Sequence, residues 1–162
     1  MAAEHLKAVQ SSLPLETAAR IVDEAIKARR SEGLLPLAVA VLDAGGNLVA
    51  FKREDGCGVL RFDIARGKAW AALGMGMSTR AIRDRMAQRP AFQSALAAAS
   101  DGRFIPVPGG VLIVKEEVAV GAVGISGDAS EKDEYCAIAA IRAVGLSSDP
   151  AAPSPQWRDA GL

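Results

Sequence analysis

A chain of 162 residues suits one domain and can bury roughly two-thirds of its unfolded surface. Its 19 basic and 19 acidic side chains cancel, which argues against a nucleic-acid partner, because phosphate backbones select a basic excess gathered on one face. No apolar run reaches the about eighteen residues of a membrane span, and the two cysteines are too few for a disulfide framework and wrongly spaced for zinc, so no metal is expected.

Residues 1–13 read as an arm whose start lacks the basic, apolar, then small-residue order of a secretory signal; a cytoplasmic protein with reduced thiols is expected. Pro14 opens an amphipathic helix in which Leu15, Ala18, Ala19, Val22, Ala25 and Ile26 share a face, and Gly33 stops it. Leu37 to Leu42 is a continuous apolar run that suits a strand covered on both faces. The turn Asp43-Ala44-Gly45-Gly46-Asn47 returns the chain along Leu48 to Arg53, which makes a hairpin, with Asp43 bonding the turn's own N–H groups.

Helical spacing resumes with Ile64, Ala65, Lys68, Ala69, Ala72 and Leu73, ended by Gly74 and Gly76. Ser78 is a good N-cap for a short helix to about Arg85, and Pro90 begins another. After a loop over 101–110, Val111 to Lys115 and Val118 to Ser126 form a second hairpin around Glu116-Glu117. Ser126-Gly127-Asp128-Ala129-Ser130 leads into a last helix, about 131–144, and the segment 147–162 is too proline-rich to continue a regular element. Two antiparallel hairpins with segregated helices indicate an α+β layer architecture over residues 14–146. The small residues Gly121 and Gly124 within the last strand are expected to let a helix pack close to the sheet.

The ordered series of motifs resembles one family. Val39 to Leu48 followed by Lys52-Arg53-Glu54-Asp55-Gly56, then Ile64-Ala65-Arg66-Gly67-Lys68-Ala69, Ser78-Thr79-Arg80, Pro108-Gly109-Gly110 and Gly121 to Gly127 with Asp133-Glu134, is similar to the GlcG/HbpS-like proteins, which include the PduO C-terminal-like domains. The resemblance implies a profilin-like antiparallel sheet flanked by helices, assembly into homo-oligomers, and heme or another tetrapyrrole as ligand. The chain departs from the pattern at Glu54, where Met is usual, and in having His5 as its one histidine, outside every motif.

Chemistry concentrates in three places. The glycine-bearing junction Ser126, Gly127, Asp128 and Ser130 would offer backbone N–H groups to an anion, unless Asp128 or Ser130 caps the helix itself. Arg53, Arg61, Lys68 and Arg80 are the candidate cations; Lys68 falls on an apolar face, so it must snorkel, pair with a carboxylate or face a pocket. Asp133 and Glu134 would serve as general acid or base if buried near one another, although a first helical turn favours carboxylates in any case. Heme needs an axial donor, for which His5 and Cys57 are the candidates, His5 only if the arm folds back or reaches a neighbour. Cys136 reads as core packing. No nucleophilic triad and no phosphate loop can be assembled.

Three functions follow from different classes. The first is a small-molecule binding protein. The second is an enzyme acting on a small anionic hydroxy or oxo acid, with Arg61, Lys68 and the Ser126 to Ser130 turn holding a carboxylate and Asp133 or Glu134 moving a proton. The third is a ligand-free assembly subunit.

Overall fold

In the computed structural model, which describes residues 5–162, eleven short elements build one five-stranded antiparallel sheet with helices on both faces. They are α1 (Leu15–Ser31), β1 (Ala38–Asp43), β2 (Leu48–Arg53), α2 (Arg61–Met75), α3 (Thr79–Met86), α4 (Pro90–Ala99), β3 (Gly110–Lys115), β4 (Val118–Ser126), α5 (Ser130–Ala143), β5 (Ser147–Asp149) and a 3-10 turn at Trp157–Asp159. Strand order is β2-β1-β4-β3-β5. The two expected hairpins join through β1 and β4, with Val41 opposite Val123. β1 is therefore an interior strand, buried on both faces, as its unbroken apolar run requires.

Alternation along the strands sorts the core into two layers. Val39, Val41, Val111, Ile113, Val123 and Ile125 face α1 and α5, which contribute Ile21, Val22, Ile138 and Ile141 among others. The opposite face is built from Ala38, Ala40, Leu42, Leu112 and Ala122, and receives Ala65, Ala69 and Ala72 of α2. On that side the helix backbone nearly touches the sheet. A Cβ at Gly124 would fall 2.8 Å from both the Ala65 carbonyl carbon and the Ala69 nitrogen, and still nearer the Ala65 oxygen. The outer side of α2 is covered as well, because Arg103 to Ile105 crosses it at Gly67. Where α2 presses on β4 and on this crossing segment, at Ala65, Gly67 and Ala69, only small side chains fit.

Local signals hold at several ends. Asp43 Oδ1 accepts the N–H groups of Gly45 and Asn47, both at 2.9 Å. Ser78 caps α3 by accepting the Ala81 N–H at 3.3 Å. Ser78→Ala is expected to cost about 1 kcal/mol in urea denaturation; a change under a few tenths would mean the cap is idle. Gly74, however, lies inside α2, and Gly76 ends the helix in the left-handed region.

The proline-rich C-terminal segment departs from expectation. Ser147–Asp149 pairs with β3 before Pro150 is reached, so no ladder hydrogen bond is lost to proline. Beyond it Trp157 is buried, stacked on Tyr135 at 3.8 Å between centroids, with the Arg158 guanidinium 4.4 Å from its ring centroid. Two large planar surfaces and an Arg158–Glu32 ion pair hold the segment down. At the other end Leu13 is buried and Ser12 Oγ accepts the Ala44 N–H, so the chain enters the core just before α1. No helix of the described residues is long and apolar enough to cross a membrane.

Candidate functional site

Lys68 decides among its three fates by pairing. Its side chain is 2% exposed, and Nζ donates to the Ile125 carbonyl at 2.9 Å and to Asp133 Oδ2 at 3.1 Å. Asp133, 1% exposed, takes the Asp128 N–H on its second oxygen at 3.0 Å. Gly109 closes over the ammonium, since a Cβ there would stand 2.9 Å from Nζ. Burial pushes Asp133 up to about 6, against the pull of Lys68, and lowers Lys68 against the pull of Asp133. Both shifts favour the neutral forms. The pair locks α2 to the end of β4 and the start of α5.

The junction after β4 is also satisfied from within. Asp128 Oδ1 accepts the Ala129 N–H at 2.7 Å and its Oδ2 the Leu35 N–H at 2.9 Å. Burial opposes this carboxylate, yet those bonds and Lys132 hold it below the usual range. The N-cap of α5 is Ala129, with no side-chain cap from Asp128 or Ser130. Asp133 instead reaches back to the Asp128 N–H, the residue before the cap, and ties the turn to the helix it precedes. The donors of Asp128 and Ala129 are thus already occupied by carboxylates, and an anion would have to displace them.

Facing outward beside this buried pair is a second group. Arg61, at the start of α2, donates through Nη1 to Ser126 Oγ at 3.2 Å. The half-buried Cys57 sulfur lies 4.0 Å from the Ser126 carbonyl. Burial raises the thiol above its ordinary value, while Arg61 and Arg53 pull the other way. Val59 and Leu60, between Cys57 and Arg61, are 82% and 63% exposed. Arg53 is exposed and borders a cleft of about 510 Å³ that also involves Arg29, Arg30, Lys52, Glu54 and Asp55. There Glu54 is nearly buried, accepting the Leu37 N–H and pairing with Arg29 at 3.0 Å and Arg30 at 3.4 Å. The residue that departs from the family's usual Met is thus a fastener between α1 and the end of β2.

Arg80 and Glu134 form a separate cluster between α3 and α5. Arg80 Nε stands 3.4 Å from Glu134 Oε2 and its Nη2 donates to the Ala152 carbonyl at 2.8 Å. Arg80 therefore does not join Arg61 and Lys68. His5 is exposed, in the N-terminal segment. Cys136 sits in the α1–α5 core, and burial pushes its thiol up. Among the described residues no group of three or more His, Cys, Asp or Glu is placed to hold a metal ion.

Sequence reading did not single out Thr79, whose buried Oγ1 accepts the Gly110 N–H at 2.9 Å and fixes the loop that covers Lys68. A buried threonine within a Ser-Thr-Arg motif was the available signal. The Glu54–Arg29 pairing had none, because its partners lie on elements whose docking is tertiary.

The family model of the haem degrading proteins, HbpS-like, matches residues 13–142. This chain belongs to the HbpS-like family. An uncharacterised 15.0 kDa protein of Citrobacter freundii, from the dhaT–dhaS intergenic region, is 31% identical over 124 residues, covering 76% of this chain and 87% of that one. The solved structure of HbpS is 27% identical with a TM-score of 0.72, over 87% of the HbpS-like chain here and 95% of HbpS. A PduOC structure in complex with heme shares the fold at TM-score 0.76 and 23% identity, over 85% and 98% of the two chains. The motif resemblance and the α+β architecture read from the sequence are both confirmed.

Proposed function

We propose that this HbpS-like chain binds a small anionic ligand, a heme or related tetrapyrrole, on the surface formed by Cys57, Val59, Leu60 and Arg61, with Arg53 at its edge. The observation that carries this reading is the grouping of a soft donor, exposed aliphatic side chains and guanidinium groups at one place above a rigid base. The residues fit the group chemically. A thiol can ligate iron once deprotonated, apolar side chains cover a porphyrin face, and arginines pair with propionates. Heme, when bound, would supply redox chemistry at its iron. This chain's own part is to hold the thiol against the Ser126 carbonyl, fix Arg61 through Ser126 Oγ, and keep both steady over the Lys68–Asp133 pair.

Support also comes from relatives, through the haem degrading family and the heme complex of PduOC. The reading in which Lys68, Asp133 and Glu134 act on a substrate is less favoured, because all three are buried and Lys68 and Asp133 occupy each other. In this proposal they position rather than react.

Hemin titration is the test. A saturable Soret change near one equivalent is expected, weakened about tenfold or more by Cys57→Ala and several-fold by Arg61→Ala, while His5→Ala leaves it unchanged. Binding that ignores Cys57 and Arg61, or no saturable binding, would sink the proposal.

Assembly into a homo-oligomer is a second proposal, favoured by α4. That helix, Pro-Ala-Phe-Gln-Ser-Ala-Leu-Ala-Ala-Ala, has no buried residue and leaves Phe92 45% exposed. Phe92→Glu is expected to lower the molar mass seen in sedimentation, and an unchanged mass would remove α4 from the interface.

A further inference from the structure

The outer side of α2 carries a stripe used by neither the core nor the ligand surface at Cys57 and Arg61. Asp63, Arg66, Trp70 and Gly74 stand three or four residues apart, so they line one face of the helix. Against them lies the stretch that leaves α4. Ser100, buried, shapes it: its Oγ accepts the Phe104 N–H at 3.2 Å and its carbonyl accepts Arg103 Nε at 2.9 Å. The Arg103 guanidinium is thereby laid over the Trp70 ring, 4.6 Å from its centroid. The turn at Gly46 closes on the edge of the same ring, where a Cβ would stand 3.3 Å from Trp70 Cδ1. Two hollows remain, and they share the Trp70 indole.

The first, about 250 Å³, is bordered by Asp63, Arg66, Asp101 and Arg103. Among the described residues Asp63, Arg66 and Asp101 have no ion-pair partner, and Arg103 spends only its Nε on the protein. The second, about 150 Å³, is bordered by Gly74 and by the apolar side chains of Met75, Leu96 and Phe104. Gly74 is the telling residue there. A glycine inside a helix costs stability relative to alanine, and close packing is the usual reason for keeping one. Gly67 has that reason, since a Cβ would fall 2.8 Å from the Arg103 carbonyl oxygen. Gly74 does not, because a Cβ there would meet nothing within 4 Å. What its missing side chain preserves is the open room of the second hollow.

We propose that the two hollows form one binding site, separate from the Cys57–Arg61 surface, for an α-amino acid with an apolar side chain. Its carboxylate pairs with the Nη groups of Arg103, with Arg66 beside them, and its ammonium lies between Asp63 and Asp101. Its side chain passes over Trp70 into the space at Gly74. Charges of both signs at one end and an apolar chamber at the other are the complement of such a zwitterion. A simple carboxylate would face two aspartates without an ammonium to offset them, and a simple amine would face two arginines. Neither hollow reaches the about 300 Å³ at which pockets for drug-sized ligands begin, so a tetrapyrrole does not fit.

Isothermal titration of the full chain with L-phenylalanine and L-leucine is the test, with hydrocinnamate and phenethylamine as probes that each lack one charge. Saturable binding of at least one amino acid is expected, about tenfold or more tighter than that of either singly charged probe. Gly74→Leu, whose side chain enters the open room, should abolish it while the circular dichroism spectrum is unchanged. Asp63→Asn and Arg103→Ala should each weaken it about tenfold. No saturable binding of either amino acid overturns the proposal. So does hydrocinnamate or phenethylamine binding as tightly as L-phenylalanine, or binding that survives Gly74→Leu. Should Gly74→Leu fail to fold, Asp63→Asn, at an exposed position, decides instead, and an undiminished affinity there overturns the proposal.

Discussion

Gly124→Ala should abolish the native fold or cost more than about 4 kcal/mol, the range reserved for the severest single substitutions. Ordinary overpacking costs about 1–3 kcal/mol, because a crowded side chain can turn aside. At Gly124 the new methyl would meet the Ala65 carbonyl and the Ala69 nitrogen, which are backbone on one side and backbone on the other. Neither has a rotamer to move to. Relief requires lifting α2 from the sheet, and the alanines between them, Ala38, Ala40, Ala65 and Ala69, are too short to fill the gap. Gly74→Ala on the same helix is the control. Its Cβ would meet nothing within 4 Å, so the higher helix propensity of alanine should raise stability by up to about 1 kcal/mol. Guanidinium unfolding followed by circular dichroism separates the two. A Gly124→Ala protein within 1 kcal/mol of the parent, on the order of an exposed substitution, would show that α2 does not press on β4.

Lys68→Met should cost about 3–5 kcal/mol at neutral pH, because it strands a buried carboxylate without its cation. Methionine restores most of the volume, so the loss is electrostatic. Asp133 is already raised to about 6 by burial, and without Lys68 to oppose that burial it must rise further. A carboxyl raised in the folded state contributes stability that is full below its ordinary 3.8 and lost as pH rises through its folded value. Lys68→Met should accordingly recover toward the parent at about pH 4.5 and fall away above it. Lys68→Met combined with Asp133→Asn should be more stable at pH 7 than Lys68→Met alone. The asparagine carries no charge and its carbonyl still accepts the Asp128 N–H. A double-mutant cycle at two pH values measures the coupling. Equal losses at pH 4.5 and pH 7.5 would mean that packing, not charge, is what Lys68 supplies.

These two effects meet in one place. Gly124 sets how close α2 lies to the sheet, and at that distance a lysine one turn along from Ala65 reaches the Ile125 carbonyl without touching water. The proposed ligand surface of Cys57 and Arg61 stands on the same footing, since Arg61 is fixed through Ser126 at the end of the same strand.

Periodicity and turn chemistry by themselves determined the elements as far as α5, their order, the two hairpins and the small-residue contact between helix and sheet. Those depend on neighbours along the chain, where spacing carries the information. The family was legible through resemblance alone, because six short motifs in fixed order are more specific than any one of them. The junction after β4 was legible as chemistry but not as an outcome. Sequence offered Asp128 or Ser130 as the cap, whereas neither caps α5 and Asp133 turns inward to the Asp128 N–H, because which carboxylate turns inward depends on where Lys68 arrives from a helix 65 residues away. The same holds for Arg80, which sequence groups with the other cations and the fold gives to Glu134. The docking of the C-terminal segment, too, was decided only in three dimensions, since Trp157 can be buried only after Tyr135 has been presented on α5. Charge and burial are properties of the assembled neighbourhood, and a linear pattern names the groups without saying which of them will meet.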